Sequence, residues 1–387
     1  MEKFIPDLGV VLVAAALLSF LAIIIKQPII IAYIVSGILI GPWGMGLVKN
    51  IAFIESISHL GITLLLFLAG LCLHPQKLIE MFKKTAIVTL ANSAISFFIA
   101  FFLARAFHFN FIDSVCIGLA LMFSSTILVV KLLPTTRLHH EKMGAICISV
   151  LILQDLLAIA VLALIHCLNS TESIFISFGV LILKLCILIA LLFLFEKFVL
   201  INIMKRIDRI HEEIFILGLA WCFGIATISN QMGLFHETGA FFAGVVLARH
   251  KISLFISESL KPLRDFFLVL FFFALGAKLN IHLLKNIILP AFALTTIFLF
   301  LKPWLFKKIF IFSGEDPSFS KEVGIRLGQM SEFSLLIALL GLELGYLSQP
   351  AAQLIEVVTI LTFIASSYYV VLKFPTPIGT TEKLMKD

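Results

Sequence analysis

Charge is what this sequence has least of. Only 13% of its 387 residues are Asp, Glu, Lys or Arg, against about a quarter in soluble globular domains. That excludes an ordinary soluble enzyme or binding module of this length. Tyrosine and tryptophan number 4 and 3, so the 39 phenylalanines carry nearly all of the aromatic content. Rings without a polar edge fill lipid-facing surface and core, and make no platform for stacking bases. The six cysteines, Cys72, Cys116, Cys147, Cys167, Cys186 and Cys222, have no CxxC spacing. They read as small apolar packing residues, which excludes a disulfide framework or a cysteine metal cluster.

What fills the space is apolar sequence: 61% of residues, with a mean hydropathy of +1.12. Runs of membrane-spanning length recur along the whole chain, so the fold expected is an all-α polytopic membrane protein. The pI near 9.0 would elsewhere suggest nucleic acid. Here the basic residues sit in short loops between apolar runs, the pattern that sets membrane topology. No nucleic-acid partner and no cofactor is expected, and the surrounding lipid is the obligatory partner. Glu2, Lys3 and Asp7 precede the first run without a small-residue cleavage site, which predicts a retained helix.

Thirteen hydrophobic segments can be counted, from 8–25 to 351–373. Numbering the loops alternately, 5 basic residues (Lys3, Lys49, Arg105, Lys278 and Lys285) fall on the N-terminal side and 21 on the other. The positive-inside rule then puts the C-terminus in the cytoplasm, in a cell inner (plasma) membrane. Lys184, Lys302 and Arg326 are left inside helices and need reasons. Between 196 and 210 a short basic stretch reads as an interfacial connector.

A weak internal repeat runs through the chain at a nearly constant offset. LFLAGLCLHPQKL (66–78) lies over FFALGAKLNIHLL (272–284), AYIVSGILI (32–40) over GAFFAGVVL (239–247), and FSST (123–126) over MSEF (330–333). Seven helices, an odd number, separate equivalent positions, so the halves must be inverted. Six helices, a linker helix and six more is a plan used by secondary transporters. It divides the chain into a first half (1–168), a linker helix and connector (169–210), a second half (211–373) and a short tail (374–387).

In such folds two discontinuous helices cross near the midplane, and their free ends hold an ion. The candidate breaks are Ser124-Ser125-Thr126 and Gly328-Gln329-Met330-Ser331-Glu332. Ordinary helix–helix hydrogen bonding is the other reading of the serines. Segment 142–168 carries Gln154 and Asp155 at its centre. A midplane carboxylate costs about 2.5–3.5 kcal/mol on the insertion scale and marks an ion or proton site by default. Packing, or an ion pair without transport, is the alternative. Lys302, directly before Pro303, is expected either to pair with Asp155 or to snorkel beside Lys307 and Lys308. Lys184 reads as a packing or interface residue. Arg326 pairs with Glu332 or snorkels.

GILIGPWGMGLV (37–48), LGITLLLFLAGLCLHPQKL (60–78), FSSTILVVKLL (123–133), LILQDLLAI (151–159), GAFFAGVVLA (239–248), FFFALGAKL (271–279) and GQMSEFSLLI (328–337) together resemble the cation:proton antiporter-2 family. The resemblance is strongest to the membrane domain of Kef-type potassium/proton antiporters. It implies a cation and proton site at Gln154 and Asp155 with Ser124, Ser125 and Thr126. It also implies a lysine partner at Lys302, a second broken helix at Gln329, Ser331 and Glu332, and an elevator-like homodimer. Two features depart from it. GPWGMG (41–46) does not fit the GxGxxG of an attached nucleotide-binding domain, which leaves regulation to a separate subunit if there is one. His236-Glu237 stands where the family is usually apolar, and reads as an interfacial polar pair rather than a proton sensor.

The function expected is exchange of a monovalent cation, potassium or sodium, for protons, one for one. Channel-like or uniport potassium efflux is the rival. Transport of organic anions on a similar fold would want basic residues at the site, and Asp155 argues against it.

Overall fold

In the computed structural model the described residues are 4–25, 27–71, 75–134, 142–168, 174–200, 202, 211–234, 236–250, 252–279 and 284–377. Their regular structure is helical, apart from an isolated bridge at Thr376. In chain order the helices are α1 (Phe4–Ile24), α2 (Ile29–Ile40), α3 (Ile51–Leu71), α4 (Pro75–Ala106), α5 (Phe111–Leu121), α6 (Thr126–Leu132), α7 (Lys142–Leu168) and α8 (Ile174–Phe195). A π-helical turn, Glu196–Leu200, follows α8. Then come α9 (His211–Gln231), α10 (His236–Leu247), α11 (Ile252–Lys278), α12 (Leu284–Phe312), α13 (Pro317–Arg326), α14 (Glu332–Glu343) and α15 (Gln349–Lys373). Most of the expected connector (203–210), most of the tail (378–387), Cys72 and the side chain of Cys167 lie outside the described residues. The four described cysteines, Cys116, Cys147, Cys186 and Cys222, are free.

Seven described stretches are long and apolar enough to cross a membrane: Ile5–Ile24, Thr85–Ala106, Phe111–Leu132, Lys142–Leu162, Glu212–Gln231, Ile287–Phe312 and Gln349–Lys373. Ile29–Ile40 and His59–Leu68 are apolar but shorter. The thirteen expected crossings are therefore not all recovered by length and hydropathy. Charge explains part of the shortfall. Glu258, Lys261, Arg264 and Asp265 dilute α11, and Lys321, Glu322, Arg326 and Glu332 dilute α13 and α14.

The chain forms two compact units. One holds residues 1–51, 80–166 and 272–387, the other 52–79 and 167–271. In the first, Val88, Val129, Val150, Phe306 and Leu327 belong to one buried cluster. In the second, Leu64, Phe67, Trp221, Ala240 and Ile256 do the same. There the Trp221 indole N–H donates to Ala243 O at 3.0 Å, holding α9 against α10.

The repeat is visible in the helix boundaries. The end of α1 at Ile24 and the end of α9 at Gln231 lie 207 residues apart. The ends of α2 and α10, Ile40 and Leu247, keep that offset unchanged. Asn110 caps α5 and Asp316 caps α13, each accepting backbone N–H groups, at an offset one residue shorter. Close helix crossings repeat too. A Cβ on Gly37 would strike Phe273 O, and one on Gly276 would strike Ile34 O. In the other unit a Cβ on Gly70 would strike Phe241 O, and one on Gly244 would strike Phe67 O. The α2–α11 contact is thus reproduced as α10–α3, the reciprocal exchange that a two-fold-related repeat produces.

Candidate functional site

Both expected helix breaks occur, and they occur together. α5 ends at Leu121 and α6 begins at Thr126; α13 ends at Arg326 and α14 begins at Glu332. Ser125 caps α6, accepting from Leu128 N at 3.1 Å. Ser331 caps α14, accepting from Phe333 N at 3.1 Å. Ser125 and Ser331 keep the shorter offset of the Asn110 and Asp316 caps, so the repeat register at the breaks is one residue away from the FSST-over-MSEF alignment. The two breaks touch. Gln329 Nε2 donates to Ser125 O at 3.4 Å, and Ser334 Oγ donates to Ala120 O at 2.5 Å. Ser366 and Thr362 of α15 brace the second break, through Gln329 Oε1 at 3.2 Å and Met330 N at 3.2 Å.

Breaking a helix frees carbonyls at one end and N–H groups at the next. Each set finds a charged side chain. The Lys302 ammonium, wholly buried in α12, donates to Phe123 O in the first break and to Gln329 O (3.4 Å) in the second. Met330 Sδ lies 3.7 Å from the same ammonium. The Glu332 carboxylate accepts from Ile127 N, in the first turn of α6, at 3.3 Å, while itself standing in the first turn of α14. Cation on carbonyl ends and anion on amide ends is the arrangement that helix dipoles favour.

Asp155 comes to the start of α6. Thr126 Oγ1 lies 3.1 and 3.0 Å from its two carboxylate oxygens. Gln154 Oε1 accepts from Ser124 N at 3.0 Å, and Gln154 Nε2 lies 3.5 Å from Ser93 Oγ on α4. Asp155 is 2% exposed, and Glu332 is wholly buried. The site therefore holds two carboxyls, several hydroxyls, an amide and free main-chain groups. These are hard oxygen donors, suited to an alkali ion or a proton.

Three expectations need correction. Lys302 makes no ion pair with Asp155, because main-chain carbonyls freed by the breaks already hold its ammonium. It does not snorkel either, being fully buried. Arg326 pairs with Glu322 (2.9 Å) and not Glu332; it also donates to Leu132 O and Pro375 O, both at 3.1 Å, closing the C-terminal end of α6. Glu237 is buried at the start of α10 with His59 Nδ1 at 3.5 Å, while its neighbour His236 is exposed. The polar pair is thus His59–Glu237. Lys184 Nζ lies beside Gly233, consistent with packing.

Sequence reasoning misses α4. Thr85, Thr89, Asn92, Ser93 and Ser96 are all buried and share one helical face. Their spacing in TAIVTLANSAIS is the signal that could have found them.

A family model described as "Sodium/hydrogen exchanger, transmembrane" matches residues 10–372. The chain is 27% identical over 376 residues to a protein named iron transporter MagA, from Paramagnetospirillum magneticum, covering 95% of this chain and 86% of that one. It is 27% identical over 342 residues to K(+) efflux antiporter 5 of Arabidopsis thaliana, covering 87% of this chain and 60% of the relative. Among solved structures it is similar to the sodium proton antiporter MjNhaP1 of Methanocaldococcus jannaschii. The TM-score there is 0.72, at 17% identity and 95% coverage of both chains. The chain spans about 57–60% of the length of the plant antiporters it matches.

Proposed function

The chain belongs to the sodium/hydrogen exchanger transmembrane family, a family of transporters and not of enzymes, and from that premise we propose that it exchanges a monovalent cation for protons at Asp155. The observation that carries this reading is the Asp155 carboxylate held by Thr126 beside two touching helix breaks. A proton and an alkali cation compete for that carboxylate. Gln154, the serine hydroxyls and the freed main-chain oxygens replace water around the cation. Lys302 and Glu332 keep the breaks intact through the cycle, so neither needs to leave its partner for the ion to bind.

The cation is an alkali ion. Names among the relatives include iron, potassium and sodium, so they do not choose between these. The donors do. Iron(II) sites usually include imidazole or thiolate beside any carboxylate, and the polar groups beside Asp155 are oxygen donors and amides. Glu332 accepts from the amide end of α6, whereas the Asp155 carboxylate is met by a side-chain hydroxyl. This supports one-for-one, electroneutral exchange.

The chain is built of inverted halves, 1–168 and 211–373, and a core domain carries the site between the two aqueous faces in an elevator fashion against a dimerisation domain within a homodimer. The membrane is the cell inner membrane, with the tail from 374 in the cytoplasm. The test uses purified protein in proteoliposomes carrying an entrapped pH dye. Adding potassium or sodium should move protons without needing a membrane potential. Cation flux with no proton movement would establish the uniport instead.

A further inference from the structure

At about 100° per residue, Thr85, Thr89, Asn92, Ser93 and Ser96 fall within a stripe roughly 100° wide on α4. All five are buried. The lower part of the stripe is accounted for, since Thr89 Oγ1 donates to Thr85 O at 2.8 Å. The upper part is not. Among the described residues, Asn92 Oδ1, Asn92 Nδ2 and Ser96 Oγ have no hydrogen-bond partner, and neither does Ser124 Oγ in the first break. Buried polar atoms in native proteins are paired about nine times in ten or more, so each exception needs an explanation, of which a bound ion is one. Gln154 joins the two groups, with its Oε1 on Ser124 N and its Nε2 toward Ser93.

The repeat sharpens the reading. The end of α4 at Ala106 and the end of α12 at Phe312 keep the same offset as the paired caps Ser125 and Ser331. At that register Ser96 stands where α12 carries Lys302. The second half thus brings its own cation to this depth, an ammonium on Phe123 O and Gln329 O. The first half brings a hydroxyl, with an unpaired amide one turn away at Asn92.

We propose that Asn92 and Ser96, with Ser124, supply neutral oxygen ligands to the dehydrated alkali cation beside Asp155, and so set which alkali cation is accepted. This rests on the antiport reading above. Neutral oxygens strip water from the ion without adding charge, and the number and field strength of such oxygens discriminate between alkali ions. One carboxylate with this set makes a neutral complex, which suits movement through a low-dielectric interior.

The experiment compares wild type, Asn92→Ala, Asn92→Ser, Ser96→Ala and the control Thr89→Val in proteoliposomes, with lithium, sodium, potassium, rubidium and caesium added in turn. Thermal unfolding in detergent, with and without the preferred cation, reads binding separately. Asn92→Ala and Ser96→Ala should raise the KM for the preferred cation about tenfold, as loss of a binding contact does. They should also change the rank order of cations and reduce the Tm gain the cation gives. Asn92→Ser should fall between, and Thr89→Val should behave as wild type. Wild-type KM, rank order and Tm gain in both alanine variants would overturn the inference and leave the stripe to water or packing, with antiport intact. A wild type that moves no protons for any alkali cation would remove the antiport reading and this inference with it.

Discussion

Lys302 and Glu332 hold opposite poles of the same two helix breaks. The ammonium bonds carbonyls of Phe123 and Gln329, and the carboxylate accepts the amide of Ile127 from the start of α14. Both side chains are wholly buried. Each is tolerable there because the half-helix ends already present the opposite partial charge. Asp155 is held by a hydroxyl instead. That partner is Thr126, and on the reading proposed above Asp155 is the acid that exchanges ligands.

Lys302→Met should therefore destabilise the fold rather than simply slow exchange. It leaves buried carbonyls unpaired, at about 1–3 kcal/mol each. Thermal unfolding in detergent checks this, and a Tm at or above wild type would count against it.

The paired caps give a second test. Ser125→Ala and Ser331→Ala should each cost about 1 kcal/mol, the usual worth of an N-cap. The breaks touch, so the double variant should depart from the sum. Strict additivity would argue that they act independently.

Helix contact predicts a sharp contrast between glycines. Gly70→Val should yield no folded protein, because even a Cβ there meets the Phe241 carbonyl. Gly9→Ala should be tolerated, with open space around it and a better helix former in place. Yield of monodisperse protein on size exclusion separates the two.

Competition at one carboxylate fixes a sign for pH. A protonated Asp155 cannot bind the cation, so lowering pH should raise the apparent KM for cation and raising pH should lower it, down to a plateau. Exchange assayed at matched internal and external pH measures this. A KM indifferent to pH would mean that the two ligands do not share the acid.

Much of this is legible in the sequence. Ser-Ser-Thr and Gln-Met-Ser-Glu inside apolar runs point to both breaks, because such clusters can satisfy backbone that unwinding frees. The repeat register at 123–126 differs by one residue, since cap geometry decides it and letters do not. The partner of Lys302 is hidden for a related reason. A sequence displays carboxylates that could pair with an ammonium, but not the carbonyls that an unwound helix will offer. Arg326 goes the same way, toward Glu322 one turn back and the end of α6. The polar face of α4 escapes because its residues are individually ordinary, and only their common burial makes them notable.

The most direct test is Asp155→Asn in proteoliposomes, beside wild type, with cation-driven proton movement as the readout and size exclusion to verify folding. Exchange by the wild type, and none in a folded variant, is the expected result. Exchange retained by Asp155→Asn at a rate near wild type would contradict it.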